Sequence, residues 1–253
     1  MKLSAKTILL LACSSLLACV SDTPQKDNTD NRSTTDLYMM KGIQYMEKGR
    51  LDVAQQDLEK AVELDGKNAE AHNALGVLYE RQNRLDEAEA QYKQALALDE
   101  NMFAADNNYA RLLCAQGKYD LAMPRFQRVL DSKVYQTPWL ALTNVGLCYK
   151  SKGSTADAES YLRKALEANP NFAPALLELA KLSMEHGNDL SARAFLQRYE
   201  STIAPSPESL YLGLQTEIAL GNNKDADAYR KRLQQLFPDS KEALRARTSR
   251  ASK

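Results

Sequence analysis

Between residues 35 and 240 one arrangement of small, bulky and polar side chains recurs six times. Small turn residues stand at Gly49, Asn83, Gly117, Gly153, Gly187 and Gly221, at steps of 34, 34, 36, 34 and 34. Five residues after each comes an alanine: Ala54, Ala88, Ala122, Ala158, Ala192 and Ala226. A helix readily ends on a residue with positive φ, and glycine, with asparagine next, adopts that conformation cheaply. The pattern therefore predicts a helix, a tight turn and a second helix, with close contact at the alanine. Aligned on the turns, the units run 35–68, 69–102, 103–136, 139–172, 173–206 and 207–240. Each buries itself on its neighbours, which makes the chain an all-α solenoid.

Composition changes this picture little. Apolar residues make up 44% and charged residues 26%, ordinary for a soluble chain rich in helix formers. The 33 basic and 33 acidic side chains balance, so the chain as a whole carries no electrostatic footprint for nucleic acid. The ends differ from the middle. Two lysines precede an apolar run over 7–18, as in a secretory signal, and the run is too short to span a bilayer. Leu16, Leu17, Ala18 and Cys19 have the form of a bacterial lipobox, which makes Cys19 the expected lipidation site. The same pattern at Cys13 leaves too short an apolar core. The plain alternative is a cleaved signal that happens to end near a cysteine. Multiple acyl chains would anchor the protein stably. Val20, where an aspartate would retain an enteric-type lipoprotein at the inner membrane, favours the outer membrane. Residues 19–34 are expected to be the acylated cysteine and a flexible tether, of which 20–34 would span roughly 20 Å. The last segment, 241–253, has five basic residues against one acid; it is expected to cap the stack as a helix and end disordered, or to touch anionic lipid.

The units resemble the tetratricopeptide repeat (TPR). In the second, Leu75, Gly76, Tyr79, Ala88, Tyr92 and Ala95 fall on that pattern; in the first, Gly42, Tyr45, Ala54, Leu58 and Ala61 do. The sixth keeps Ala226 and Pro238 but has Leu214, Glu217 and Arg230 where the family prefers Gly, Tyr and an aromatic. The resemblance implies a right-handed TPR solenoid of six helix–turn–helix repeats with a C-terminal capping helix. Thr137 and Pro138 are inserted between units three and four and should cap and start a helix. Pro124, inside the second helix of unit three, should kink or shorten it. Cys114 and Cys148 lie in first helices of neighbouring units, and in an exported chain the two either pair or remain buried thiols.

Catalytic motifs are missing. HExxH, GxSxG, a phosphate-binding glycine loop and CxxC are all absent, and the two histidines, His72 and His186, sit in different units. No enzyme activity, metal, cofactor or small-molecule substrate is expected. What remains is a protein-binding groove. In TPR arrays the first helices line the concave face through their second, fifth, ninth, twelfth and thirteenth positions. Met39, Ile43 and Met46 occupy such positions in unit one and suggest an apolar peptide-docking patch, unless preceding residues cover them. Further along, Asn73, Asn107, Arg111, Thr143, Lys150, Leu177 and Lys181 should form a polar groove for a backbone or carboxylate, with Asn108 and Asn144 recurring beside it.

The export signal, the six units, the cysteines in units three and four and the segment YQTPWLALTNVGLC are together similar to the type IV pilus biogenesis/stability family of TPR lipoproteins. Membership implies a pilotin-like partner of the pilus secretin, anchored to the outer membrane by acyl chains and facing the periplasm. It would promote secretin localisation, multimerisation or stability. Two other classes remain open: an adaptor for cell-wall enzymes, and a structural tie within an envelope complex.

Overall fold

The computed structural model describes residues 28–248, and the side chains of 32–247 within them. The signal segment, Cys19, Cys13 and residues 249–253 lie outside the described residues. Twelve helices pair into the six expected hairpins: α1 (Asn28–Glu47) with α2 (Leu51–Leu64), α3 (Ala69–Arg81) with α4 (Leu85–Leu98), and α5 (Phe103–Ala115) with α6 (Tyr119–Asp131). Then come α7 (Pro138–Ser151) with α8 (Thr155–Ala168), α9 (Ala173–Glu185) with α10 (Asp189–Thr202), and α11 (Pro207–Ala219) with α12 (Asn223–Leu236). A thirteenth, α13 (Lys241–Thr248), closes the stack by burying Ala243 and Ala246 completely.

The six turns are those the spacing predicts. Asn83 has φ 60° and the five glycines have φ between 71° and 86°, which only such residues adopt without strain. All six alanines of the second helices are buried, none more than 2% exposed. Close approach inside a hairpin is plain at Gly76, where a Cβ would lie 2.6 Å from the Tyr92 ring. The sixth unit corrects the alignment. Gly213, not Leu214, meets its partner helix, and Tyr229, not Arg230, fills the aromatic place, with 2.5 Å between a Cβ at Gly213 and that ring. The hairpin pairing there is shifted by one residue, while Gly221 still makes the turn.

Three further departures have local causes. α1 is already helical at the first described residue, Asn28, so residues 28–34, expected in the tether, are helical. No glycine or proline lies between Gln25 and Lys41, and once a helix is nucleated each added residue contributes a hydrogen bond. Pro138 starts α7 at its first position, but the Thr137 side chain makes no capping bond; its carbonyl accepts from Leu140 N instead. α6 runs on through Pro124 to Asp131, because the proline sits on the exposed side while Ala122, Phe126 and Val129 face the core.

Cys114 and Cys148 form a disulfide across α5 and α7, with a Cα separation of 5.5 Å. Nearby, Asp106 is 1% exposed, its carboxylate held by Arg125 at 2.8 Å and Arg128 at 2.9 Å. Because both arginines reach water, changing Asp106 to Ala should cost about 1–3 kcal/mol, the worth of one charge-assisted bond from Arg125 and the ion pair with Arg128. Urea denaturation would measure it.

Candidate docking surface

Successive first helices touch one another: α1 meets α3, α3 meets α5, α5 meets α7, and α9 meets α11, with no comparable contact between successive second helices. The layer whose helices touch is the inner one, so the odd-numbered helices through α11 form the inner wall.

That wall is less open than the sequence suggests. Met46 is 5% exposed and belongs to the core, where α1 packs on α2 and Arg81 reaches its carbonyl at 2.9 Å. Met39 and Ile43 are half-buried against the same core. Asn107 and Thr143 are also buried; Asn107 accepts a bond from Asn144, and the Thr143 hydroxyl donates to the carbonyl of Trp139. Asn73 accepts from Asn108 at 3.0 Å, so the asparagines tie neighbouring first helices together. Leu177 packs against the core of units four and five.

The groove cations are committed internally. Arg111 clasps Glu80 with both terminal nitrogens, and the Tyr92 hydroxyl donates to the same carboxylate. Lys150 lies 3.4 Å from Glu178 and 3.2 Å from Glu185; Lys181 lies 2.7 Å from both Glu178 and Glu208. Burial opposes the charge on Lys181, but its hydrogen bonds to Glu178 and Glu208 outweigh that and raise its pKa. His72 is equally occupied, its ring bridging Gln91 and the carbonyl of Gly66. Among the described residues no group of three or more His, Cys, Asp or Glu is placed to hold a metal, and no helix is long and apolar enough to cross a membrane.

The open surface lies at the edge of the first unit. Met39, Met40 and Met102 line a cleft of about 570 Å³ together with four acidic residues, Asp36, Asp65, Glu70 and Asp99, and two basic ones, Arg32 and Lys67. Met40 is 57% exposed, on the side of α1 where a preceding repeat would pack. Sequence reasoning passed over Met40 and Met102 because neither falls at a concave position. The signal available was that a first repeat has one face without a neighbour.

A stack of helical hairpins with an exposed apolar edge and an internally neutralised wall defines a repeat scaffold. Tetratricopeptide-repeat models match residues 39–105, 78–136 and 108–171, and a second such model matches 151–218. Along nearly its whole length the chain is 28% identical to the type IV pilus assembly protein PilF of Pseudomonas aeruginosa, over 96% of this chain and 97% of that one. The crystal structure of PilW, a widely conserved type IV pilus biogenesis factor, superposes with a TM-score of 0.72 at 30% identity, covering 85% of this chain and 98% of that one. A structure of Pseudomonas aeruginosa PilF gives 0.69 at 27%, covering 87% and 100%. The chain belongs to the tetratricopeptide-repeat family, among the type IV pilus biogenesis proteins.

Proposed function

We propose that this protein is an outer-membrane lipoprotein scaffold, acylated at Cys19, that binds the pilus secretin and promotes its localisation, assembly or stability. The observation that carries the reading is similarity along nearly the whole chain to PilF and over 85% of it to PilW, both named for type IV pilus assembly or biogenesis. The edge of the first unit is the docking surface. Its methionines adapt to an apolar segment, and its four carboxylates, outnumbering Arg32 and Lys67, favour one flanked by basic residues. Cys19 precedes the first described residue of α1 by only nine positions in the sequence, so an acylated Cys19 would keep a bound client close to the lipid.

The test uses the full-length protein in pilus-forming cells. Met40→Asp with Glu70→Lys changes two exposed side chains and should abolish co-purification of secretin without altering the fold. Cys19→Ser should leave that binding intact and move secretin oligomers out of the outer-membrane fraction. Normal secretin distribution with both variants would refute the reading.

A further inference from the structure

Helix α1 has one face on which nothing packs. Thr35, Gly42 and Met46 are buried on its inner side, while on the opposite side Leu37 is 50% exposed and Met40 57%. At 3.6 residues per turn Leu37 and Met40 lie side by side, with Asp36 flanking them on one side and Lys41 on the other. In order, Asp36, Leu37, Met40 and Lys41 take the g, a, d and e places of a heptad. We propose that this face pairs with the same face of a second copy, the two α1 helices lying parallel.

Charge and direction select that occupant. Between parallel helices a g residue meets the e residue five positions later on the other chain, so Asp36 of each copy meets Lys41 of the other. A two-fold axis makes that contact twice, while Leu37 and Met40 meet their own equivalents. Antiparallel helices would bring e to e and set Lys41 against Lys41. Both charges are available: among the described residues Asp36 lines the open cleft without an ion pair, and Lys41 has only the Tyr38 ring, 5.5 Å away. The parallel direction also suits the proposed anchors, since Cys19 lies nine positions before Asn28 and both acyl groups then leave the pair at one end. Gln44 and Glu47 end the apolar seam a turn later, so the pair is short. Confinement of both copies to one membrane raises their effective concentration and offsets that weakness.

Pairing does not depend on secretin docking, although Met40 serves both contacts and the two compete for it. The test therefore uses the full chain in membranes of cells that lack secretin. Leu37→Cys puts a thiol where the two copies meet, and mild oxidation should join them as a dimer. Gln56→Cys, at an exposed position of α2, should not form one. In the Leu37→Cys chain, Asp36→Lys or Lys41→Asp alone should weaken pairing about tenfold, read as loss of the dimer at equal expression. Both changes in one chain should restore it, and the two single variants expressed together should pair with each other. Glu70→Lys, in the secretin cleft but off this face, should leave the dimer unchanged. Absence of dimer from Leu37→Cys, or a charge reversal that the second reversal does not repair, overturns the proposal. So does a Leu37→Cys adduct that contains a different protein.

Discussion

Replacing Tyr92 with Ala should destabilise the solenoid by about 3–5 kcal/mol, the range for deleting a buried aromatic ring. The ring is fully buried in α4 and lies in the space left by Gly76 of α3. Its hydroxyl donates to Glu80 at 2.9 Å, and Glu80 in turn is clasped by Arg111 of the next unit. One side chain therefore fills a hairpin and supports the ion pair that joins it to its neighbour. Tyr92→Phe keeps the ring and loses only the bond to Glu80, so its cost should be about 1–2 kcal/mol. Burial, with the Glu80 charge beside it, holds the Tyr92 phenol well above its ordinary pKa of 10.0. The stability it contributes is intact below that pH and erodes as pH rises beyond it. Guanidinium denaturation of both variants decides the matter. A loss below about 1 kcal/mol for Tyr92→Ala would mean that the ring is not the packing element described, since even partial collapse leaves most of a cavity's cost.

How much of this was legible in the sequence depends on the range of the interaction. The turns at Gly49, Asn83 and Gly117 were readable because positive φ is a property of single residues, and the paired alanines because every hairpin must close at the same place. The helicity of residues 28–34 was not readable, since polar composition marks a tether but does not prevent a helix from growing upstream. The sixth unit misled for another reason. Its turn and its Ala226 stay in register while Gly213 and Tyr229 sit one place early, and an alignment anchored on turns has no means of seeing that. The groove was misread most. Position within a repeat told which helix face Met46 and Lys181 occupy. It did not tell that Met46 would be covered, or that Glu178 and Glu208, on two different helices, would converge on Lys181. Those outcomes arise between units, where side-chain length and the curvature of the stack decide what meets.

The second large effect expected is at the disulfide. Cys114→Ala with Cys148→Ala should lower stability by roughly 3–4 kcal/mol, the chain-entropy value for a loop of this size, the two cysteines being 34 residues apart. In a chain of this length that corresponds to a fall in Tm of roughly 10 °C. The bond joins first helices of neighbouring units, and the loop it closes contains both irregular features, Pro124 and the Thr137–Pro138 insertion. It also stands where one core ends and the next begins. Cys148 belongs to the core of the first four units, while Trp139, Leu142 and Tyr149 of the same helix pack against the core that starts at Ala158. A solenoid is coupled only through neighbours, so an inserted dipeptide at such a boundary is where the stack would otherwise part. Hydrogen exchange should accordingly show the double variant losing protection in α5 to α8 first, with α1 and α2 little changed. If the loss were uniform along the chain, or Tm moved by less than about 2 °C, the bond would be a passive ornament of two buried thiols and the junction would be held by packing alone.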